Sequence, residues 1–415
     1  MKPKIKKFDW IVIGGGVSGI SISEILCREN HNVLLIEKNH KLASETSKVF
    51  HEWLHSGSLY SLVPDNLLTL RYLLGATDDL LEFYNSFTNM NLIPTTKGIN
   101  VIENPQGWFN NQRIEYKFKL HKLNPIWTLL ISRAINIIGL VSEHDWLRRR
   151  AGSEFGKSVI NNYQWFSQIK KIYSSKDKFL NIISPDITMN SRLLISDLLN
   201  QAIFNGLDFF TGKEVSSINE EKDSVVVKAG TEKFVGKNLV ICSPDVISNI
   251  YKTPLKIGYA PIGIVGNVPK KISSFVELDY YPKKCINLLV KENGIGQAGG
   301  ITLNAKNKVN EYLDFVISEH KKRNPGLEFL GSYTGLKKEL VNKGENRNYL
   351  FHIRKNSEKI WSIVLGKFSL AFSMAPEFYR RVYNKNPRKT FEIKSQSKIN
   401  ENISNTSWHE IAKGK

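Results

Sequence analysis

Six consecutive residues near the start, Gly14-Gly15-Gly16-Val17-Ser18-Gly19, restrict this chain more than any other stretch. They follow an apolar run rich in β-branched residues, Phe8 to Ile13, and open a helix-period segment, Ser18 to Arg28; a second apolar strand, Asn32 to Ile36, comes next. The arrangement is a β-α-β unit with GxGxxG spacing. Gly14 permits the tight turn, Gly16 lets backbone approach a pyrophosphate, and Gly19 lets the helix pack closely on the strand. The positive end of the helix faces the phosphates. Glu37 stands 18 residues after Gly19, at the end of the second strand. A carboxylate there accepts hydrogen bonds from ribose hydroxyls and repels a 2′-phosphate, so NADP is disfavoured while FAD and NAD remain.

The 415 residues hold 58 Lys+Arg against 39 Asp+Glu, a formal charge of +19, and are 41% hydrophobic and 23% charged. Such a composition buries a core and excludes wholesale disorder or coiled coil; the length suits two or three domains. The surplus is mostly scattered lysine with no nucleic-acid-binding module behind it, so nucleic acid is not an expected partner. Cys27, Cys242 and Cys285 lie far apart, without metal-site or disulfide spacing, which predicts a reducing, cytoplasmic compartment and no metal. The basic opening, Met1 to Lys7, is followed by glycines and no cleavage-site pattern, so no export signal is expected. Pro125 to Val141 is apolar, but Arg133 and Asn136 interrupt it and it falls short of the ~20 residues of a spanning helix. A buried or interfacial helix is expected there, and Arg148-Arg149-Arg150 behind it is a candidate for peripheral membrane contact.

Further along, Arg192 to Asn205 has helical period, and Leu207 to Phe210, Val225 to Lys228 and Leu239 to Cys242 read as strands of a second such unit. Pro254 to Leu303 alternates short apolar runs with Gly and Pro, the pattern of an antiparallel sheet. No internal repeat is present. After Pro387 the chain turns polar and rich in Lys, Ser and Asn, which predicts a weakly packed or disordered tail over 387–415.

The segments Ala43-Ser44-Glu45-Thr46-Ser47 and Leu54-His55-Ser56-Gly57-Ser58-Leu59-Tyr60 resemble the flavin-contacting loop and helix of the D-amino-acid-oxidase-like superfamily of FAD-dependent oxidoreductases. The glycerol-3-phosphate dehydrogenase and L-2-hydroxyglutarate oxidase branches are the most similar. The likeness runs on through Pro64 and the helix Asn66 to Tyr84, and returns at Asp186-Ile187-Thr188 and at Gly331-Ser332-Tyr333-Thr334-Gly335-Leu336. Ile363 to Ser369 resembles the family's terminal Gly-Gly-Lys flavin turn. The resemblance implies FAD as cofactor and an α/β fold. A Rossmann-type FAD-binding domain (1–99, 180–253 and 345–386) would carry an inserted substrate domain with a mixed, largely antiparallel sheet (100–179 and 254–344).

The chain departs from the family pattern where the chemistry is decided. In the glycerol-3-phosphate branch an arginine that meets phosphate follows the His-Ser-Gly turn, and Leu59 stands there. Lys337-Lys338 replace Arg-Pro after Gly335-Leu336, Leu365 replaces the first glycine of the terminal turn, and Phe372 takes the place of the arginine expected beyond it. The step Ser243-Pro244 is similar to that of amine-oxidase and phytoene-desaturase-like flavoproteins.

His55 is the candidate base, because a neutral imidazole takes a hydroxyl or amine proton near neutral pH; packing under the flavin is its structural alternative. His352 is the rival. By strand alternation it shares a face with Arg354, whose planar fork suits a carboxylate or phosphate. Lys337 and Lys367 are further anion ligands, or else ordinary solvated lysines. Gly366 would let backbone N–H groups approach the flavin carbonyl oxygens, and Ser44, Thr46 and Ser47 are candidate donors to phosphate or ribose. The expected reaction is two-electron oxidation of a small anionic hydroxy acid, polyol phosphate or amino acid by hydride transfer to flavin, with oxygen, a quinone or another acceptor taking the electrons. Two alternatives stay open: a non-oxidative sugar or isoprenoid mutase or isomerase, and a flavin-binding protein with a degraded active site. Nothing in the sequence indicates an oligomeric state.

Overall fold

The computed structural model describes residues 6–55, 60, 68–84, 87, 91–95, 98–102, 108–120, 169–173, 178–279, 284–341, 349–388 and 398–414. The apolar segment 125–141, Arg148-Arg149-Arg150 and the residues 56–59 lie outside them. Two large sheets organise the chain. The first has eight strands: β1 (Lys7–Ile13), β2 (Val33–Ile36), β9 (Asp208–Phe210), β10 (Val215–Glu220), β11 (Val225–Ala229), β12 (Glu232–Ile241), β18 (Phe351–Lys355) and β19 (Ile360–Leu365). Its centre is parallel, in the order β9-β2-β1-β12-β19, while β10, β11 and β18 are added antiparallel.

Both faces of this centre are covered, which is why the runs Trp10–Ile13, Val33–Ile36 and Leu239–Ile241 are apolar at every position rather than at alternate ones. Trp10, Val12, Val33 and Leu35 point into one core, while Ile11, Ile13, Leu34 and Ile36 point into the other. The first core is closed by α1 (Val17–Arg28), α2 (Leu68–Phe83), α3 (Ser191–Phe204) and α6 (Ala371–Tyr383). The second is closed in part by α4 (Pro244–Tyr251), through Ile247. Gly19 sets how closely α1 approaches β1: a Cβ there would fall 1.9 Å from the Gly14 carbonyl oxygen. Inside α1 the Arg28 guanidinium donates to both Glu24 carboxylate oxygens, at 3.0 and 2.6 Å, and to the Phe83 carbonyl, so this buried charge is fully partnered.

The second sheet has nine strands in the order β17-β13-β16-β15-β14-β6-β8-β3, with β7 also on β8. They are β3 (Trp53–Leu54), β6 (Phe109–Leu120), β7 (Ile169–Tyr173), β8 (Lys178–Met189), β13 (Lys256–Gly266), β14 (Phe275–Asp279), β15 (Lys284–Val290), β16 (Gly296–Gly300) and β17 (Glu328–Glu339). Only the β14–β6 pair is parallel, so the sheet is mixed, as the sequence pattern predicts. The helix α5 (Val309–Arg323) packs on it through Val316 and His320, and a small hairpin of β4 (Asn91–Thr95) and β5 (Gly98–Ile102) stands apart.

Two expectations about the organisation need correction. Residues 180–189, placed from sequence with the dinucleotide unit, belong to β8 and hence to the second sheet. Residues 398–414, placed in a loose tail, are packed. Leu42 and Ile403 form a parallel β-bridge, the Leu42 N–H donates to the Asn402 carbonyl, and Ile403 is only 1% exposed. The short helix α7 (Ser407–Lys413) then lies against β17, with Ile411 over Gly331. A mainly polar segment is held here by a few well-placed apolar side chains and backbone bonds, which average composition does not register.

Candidate active site

The parallel strands β1, β2, β12 and β19 all end at one side, where a cavity of about 990 Å³ runs from the glycine turn to the second sheet. This position, beyond the carboxyl ends of the parallel strands, is where open α/β sheets bind ligands. At the dinucleotide end the wall holds Gly14, Gly16 and Glu37. Gly14 has φ +103°, and a Cβ on it would stand 3.0 Å from the Ser243 nitrogen, so glycine is required by both conformation and space. The first turn of α1 has no acidic side chain, so no carboxylate of the helix itself offsets its positive end.

Glu37 is buried and fixed. Its Oε2 accepts from the Gly15 N–H at 2.6 Å and its Oε1 from the backbone and side chain of Asn39 at 2.9 and 2.7 Å. With two lone pairs per oxygen, Oε2 keeps one for a ribose hydroxyl. Ser44, Thr46 and Ser47 also line the cavity, yet the structure directs their hydroxyls elsewhere. Ser44 gives its one proton to the Lys41 carbonyl and meets Ser404 Oγ at 2.6 Å; Thr46 donates to the Leu336 carbonyl at 3.2 Å. Ser47 Oγ accepts from the Val17 N–H at 3.0 Å and so serves the start of α1. A donor role for Ser44 or Thr46 toward phosphate conflicts with these bonds.

The inner end of the cavity gathers His51, His55, Tyr60, Asn287, Lys337, Gly366 and Lys367. The His55 ring lies on Trp53, with centroids 4.2 Å apart, and meets Tyr60 edge-on at 5.3 Å. Its Nδ1 stands 3.4 Å from Asp186 Oδ2, and its backbone N–H donates to Ser369 Oγ at 3.0 Å. Asp186 is itself buried and accepts from Trp53 Nε1 at 2.8 Å and from the Tyr116 hydroxyl. Burial, reinforced by Lys367, pushes His55 down to about 4 against the opposing pull of Asp186. Burial likewise pushes His51 to about 3, with Lys337 and Lys291 adding to it. Both rings are therefore neutral at physiological pH. Lys367 Nζ donates to the Tyr60 hydroxyl and sits 4.1 Å from that ring's centre and 4.8 Å from that of Tyr349.

His352 and Arg354 do not join this group. Their strand β18 pairs outside β19, Arg354 is exposed, and neither side chain lines the cavity. They do share the outer face of β18 while Phe351 and Ile353 are buried, so the alternation argument holds but that face turns away from the site. Leu365, where the family pattern has a glycine, lines the cavity and also packs against the first core. Gly19 acts on helix packing and does not touch the cavity. His51, Glu52 and Asn287 were not among the sequence candidates, and Asp186 entered there only within the family resemblance, without a site role. His51 was findable as the first histidine of His51-Glu52-Trp53-Leu54-His55, and Asn287 as a lone polar residue inside the apolar strand Lys284–Val290. Glu52, at φ +56°, accepts from the Ser191 N–H and hydroxyl, Lys291 Nζ and Trp408 Nε1, which ties the backbone between the two histidines to α3, to Lys291 and to α7. Among the described residues no group of His, Cys, Asp and Glu could hold a metal ion, and no helix is long and apolar enough to cross a membrane. Burial raises Cys242 and Cys285, so neither is an ionised thiol.

Solved structures share this architecture at low identity. A glycerophosphate oxidase from Mycoplasma pneumoniae, solved with FAD bound, superposes with a TM-score of 0.66 at 15% identity, over 97% of this chain and 100% of that one. A glycine oxidase from Bacillus cereus gives 0.63 at 14% identity, over 91% and 98%. An L-proline dehydrogenase from P. horikoshii gives 0.62 at 12%, over 93% and 96%. No curated protein sequence matches the chain. The DAO family model, described as FAD-dependent oxidoreductase, matches residues 9–247, a span that holds the glycine turn, Glu37, both cavity histidines and Asp186. With more than half of its length matched, and with a cradle shaped for a dinucleotide, the chain is a member of the DAO family of FAD-dependent oxidoreductases, and FAD is its cofactor.

Proposed function

We propose that the chain oxidises a small anionic substrate, a hydroxy acid, polyol phosphate or amino acid, at carbon. The observation that carries this reading is the pairing of two neutral imidazoles, His51 and His55, with the cations Lys337 and Lys367 at the inner end of the cavity. Bound FAD supplies a two-electron acceptor for a hydride, and its reoxidation would fall to oxygen, a quinone or another acceptor. Gly14, Gly16 and the start of α1 would hold its pyrophosphate, Glu37 its ribose, and the Gly366-Lys367 turn the ring end.

The chain's own residues then divide the work. The lysines draw in and orient the substrate's anionic group. The Asp186 carboxylate, 3.4 Å from Nδ1 of His55, favours the tautomer protonated at Nδ1, which leaves Nε2 as the atom that takes the proton. A bound anion offsets the charge of Lys337 and Lys367, so His55 becomes more basic when substrate is present than when it is not. The likeness to the glycerol-3-phosphate branch supports a polyol phosphate among the candidates, and Leu59 in place of the branch's arginine weighs against it. The three unpaired cysteines support a reducing, cytoplasmic compartment. The test is anaerobic mixing of the FAD-loaded protein with glycerol 3-phosphate, 2-hydroxyglutarate and a panel of amino acids. Loss of flavin absorbance with one of them is expected; a flavin that dithionite bleaches and none of these anions does would refute the reading.

A further inference from the structure

Four charged side chains meet on the cavity wall beside the glycine turn, and each carboxylate reaches both lysines. Glu45 stands 2.6 Å from Lys38 Nζ and 4.0 Å from Lys338 Nζ, while Asp245 stands 2.5 Å from Lys338 Nζ and 3.9 Å from Lys38 Nζ. All four residues line the cavity, and their side chains are between 18% and 48% exposed, so each presents accessible surface. They come from separate elements: Lys38 follows Glu37 at the end of β2, Glu45 lies in the loop behind it, Asp245 is in the first turn of α4, and Lys338 is on β17 of the second sheet. Two contacts fix where this ring stands. A Cβ on Gly14 would meet the Ser243 nitrogen, two residues before Asp245, and one on Gly16 would meet Ser47 Oγ at 3.2 Å, two residues after Glu45. The carboxylates therefore flank the glycine turn on its two sides. From the second sheet, β17 rests on the same loop: the Leu336 carbonyl accepts from Thr46 Oγ1 at 3.2 Å, and a Cβ on Gly335 would fall 2.9 Å from the Val49 carbonyl oxygen. Lys338 then carries the link on to Asp245, and so to the first sheet's side.

We infer that Lys38, Glu45, Asp245 and Lys338 form an ionic clasp that joins the two sheets over the cofactor, and that FAD is released when Lys338 parts from its carboxylates. The inference goes beyond the function proposed above, because it needs FAD on the glycine turn and no particular substrate. Lysines that served only to attract the cofactor's phosphates would be left bare, since carboxylates within 4.0 Å cancel that attraction. Two charges of each sign instead give the ring no net charge, so it neither draws in nor repels the dinucleotide, and its effect is mechanical closure. Short and long contacts alternate around the ring, so a lysine that loses one carboxylate still has the other in reach. Such a network holds where an isolated exposed pair would contribute little. The family pattern has proline where Lys338 stands, and proline carries no charge; the clasp is a property of this chain rather than of its fold.

The experiment measures release from the FAD-loaded chain as exchange of bound FAD for an excess of isotope-labelled FAD. Lys338→Met removes a cation and Asp245→Asn removes a carboxylate at nearly constant size, so the two shift the local charge in opposite directions. Both open the clasp, and each should speed release by about threefold or more, the scale of a partly exposed ion pair. The double variant should match the faster single variant to within about twofold, because both changes remove one link, whereas independent effects would multiply to about ninefold. Lys338→Arg should stay within about twofold of the unaltered protein. Retained flavin absorbance and melting temperature show that each variant is folded. Glu45→Gln, which breaks the ring from the loop, should speed release as well and carries the test where another variant does not fold. Faster release with Lys338→Met but slower release with Asp245→Asn overturns the inference, since the lysine would then hold the cofactor's phosphates directly. Unchanged release in every variant overturns it too, and reduces the ring to ordinary surface ion pairs.

Discussion

Three buried histidines make the stability of this protein steeply dependent on pH. His55 and His320 are held at about 4 and His51 at about 3, all chiefly by burial, against an unfolded value of 6.5. His320 sits on α5, with Nε2 3.1 Å from the Asn287 carbonyl oxygen and its ring near Phe275, and does not itself line the cavity. Because the folded values are depressed, the unfolded chain binds more protons, and stability falls as pH drops from about 6.5 toward 4. At pH 5 each imidazole is almost fully protonated in the unfolded chain and about one-tenth or less in the folded one. The three together give a slope of about 3.7 kcal/mol per pH unit, from ~1.36 kcal/mol per proton. Urea unfolding of the FAD-saturated protein at closely spaced pH values between 4.5 and 7 measures it. Each of His51→Gln, His55→Gln and His320→Gln should lower the slope at pH 5 by roughly 1.2 kcal/mol per pH unit. The comparison of slopes cancels other titrations, including Glu24, whose raised carboxyl acts in the opposite sense. Identical slopes in all four proteins would refute the claim that these rings are buried in neutral form.

Three further outcomes are expected. Gly19→Ala, whose new methyl would meet the Gly14 carbonyl oxygen at 1.9 Å, should cost about 1–3 kcal/mol and sharply lower FAD content after purification; normal flavin-to-protein absorbance would show that the turn yields without cost. Glu37→Ala removes the acceptor for Gly15 and Asn39 as well as a ribose contact, so FAD dissociation should rise at least tenfold, and full occupancy after long dialysis would count against it. Asp186→Asn withdraws the charge that steadies His55 while its size is kept; with the substrate that bleaches the flavin, kcat should fall by one to two orders of magnitude at nearly constant KM, and a change confined to KM would assign Asp186 to binding instead.

The parts of this molecule that were legible in the sequence are those whose partners are close by in the chain. The turn at Gly14–Gly19 and the carboxylate of Glu37 belong to one β-α-β unit, so spacing alone positions them. The antiparallel character of 254–303 was equally visible, because β14, β15 and β16 pair in chain order. What failed depended on partners far away. Alternation put His352 and Arg354 on a common face, but only the pairing of β18 outside β19 decides that the face is turned from the cavity. Asn287 becomes informative only when Gly299 and His51 stand beside it, and Asp186 only when Trp53, Tyr116 and His55 converge on it.

The packed segment 398–414 bears on how the site is assembled in time. The loop from Leu42 to Glu52 is synthesised early, yet three of its partners, Ile403, Ser404 and Trp408, leave the ribosome only after both sheets have been made. A growing chain can therefore form the glycine turn long before the neighbouring loop is locked beside it. Cofactor loading would then be a late event, and any fusion or tag attached close behind Lys413 acts on the cofactor loop itself, through α7, rather than on an idle end of the molecule.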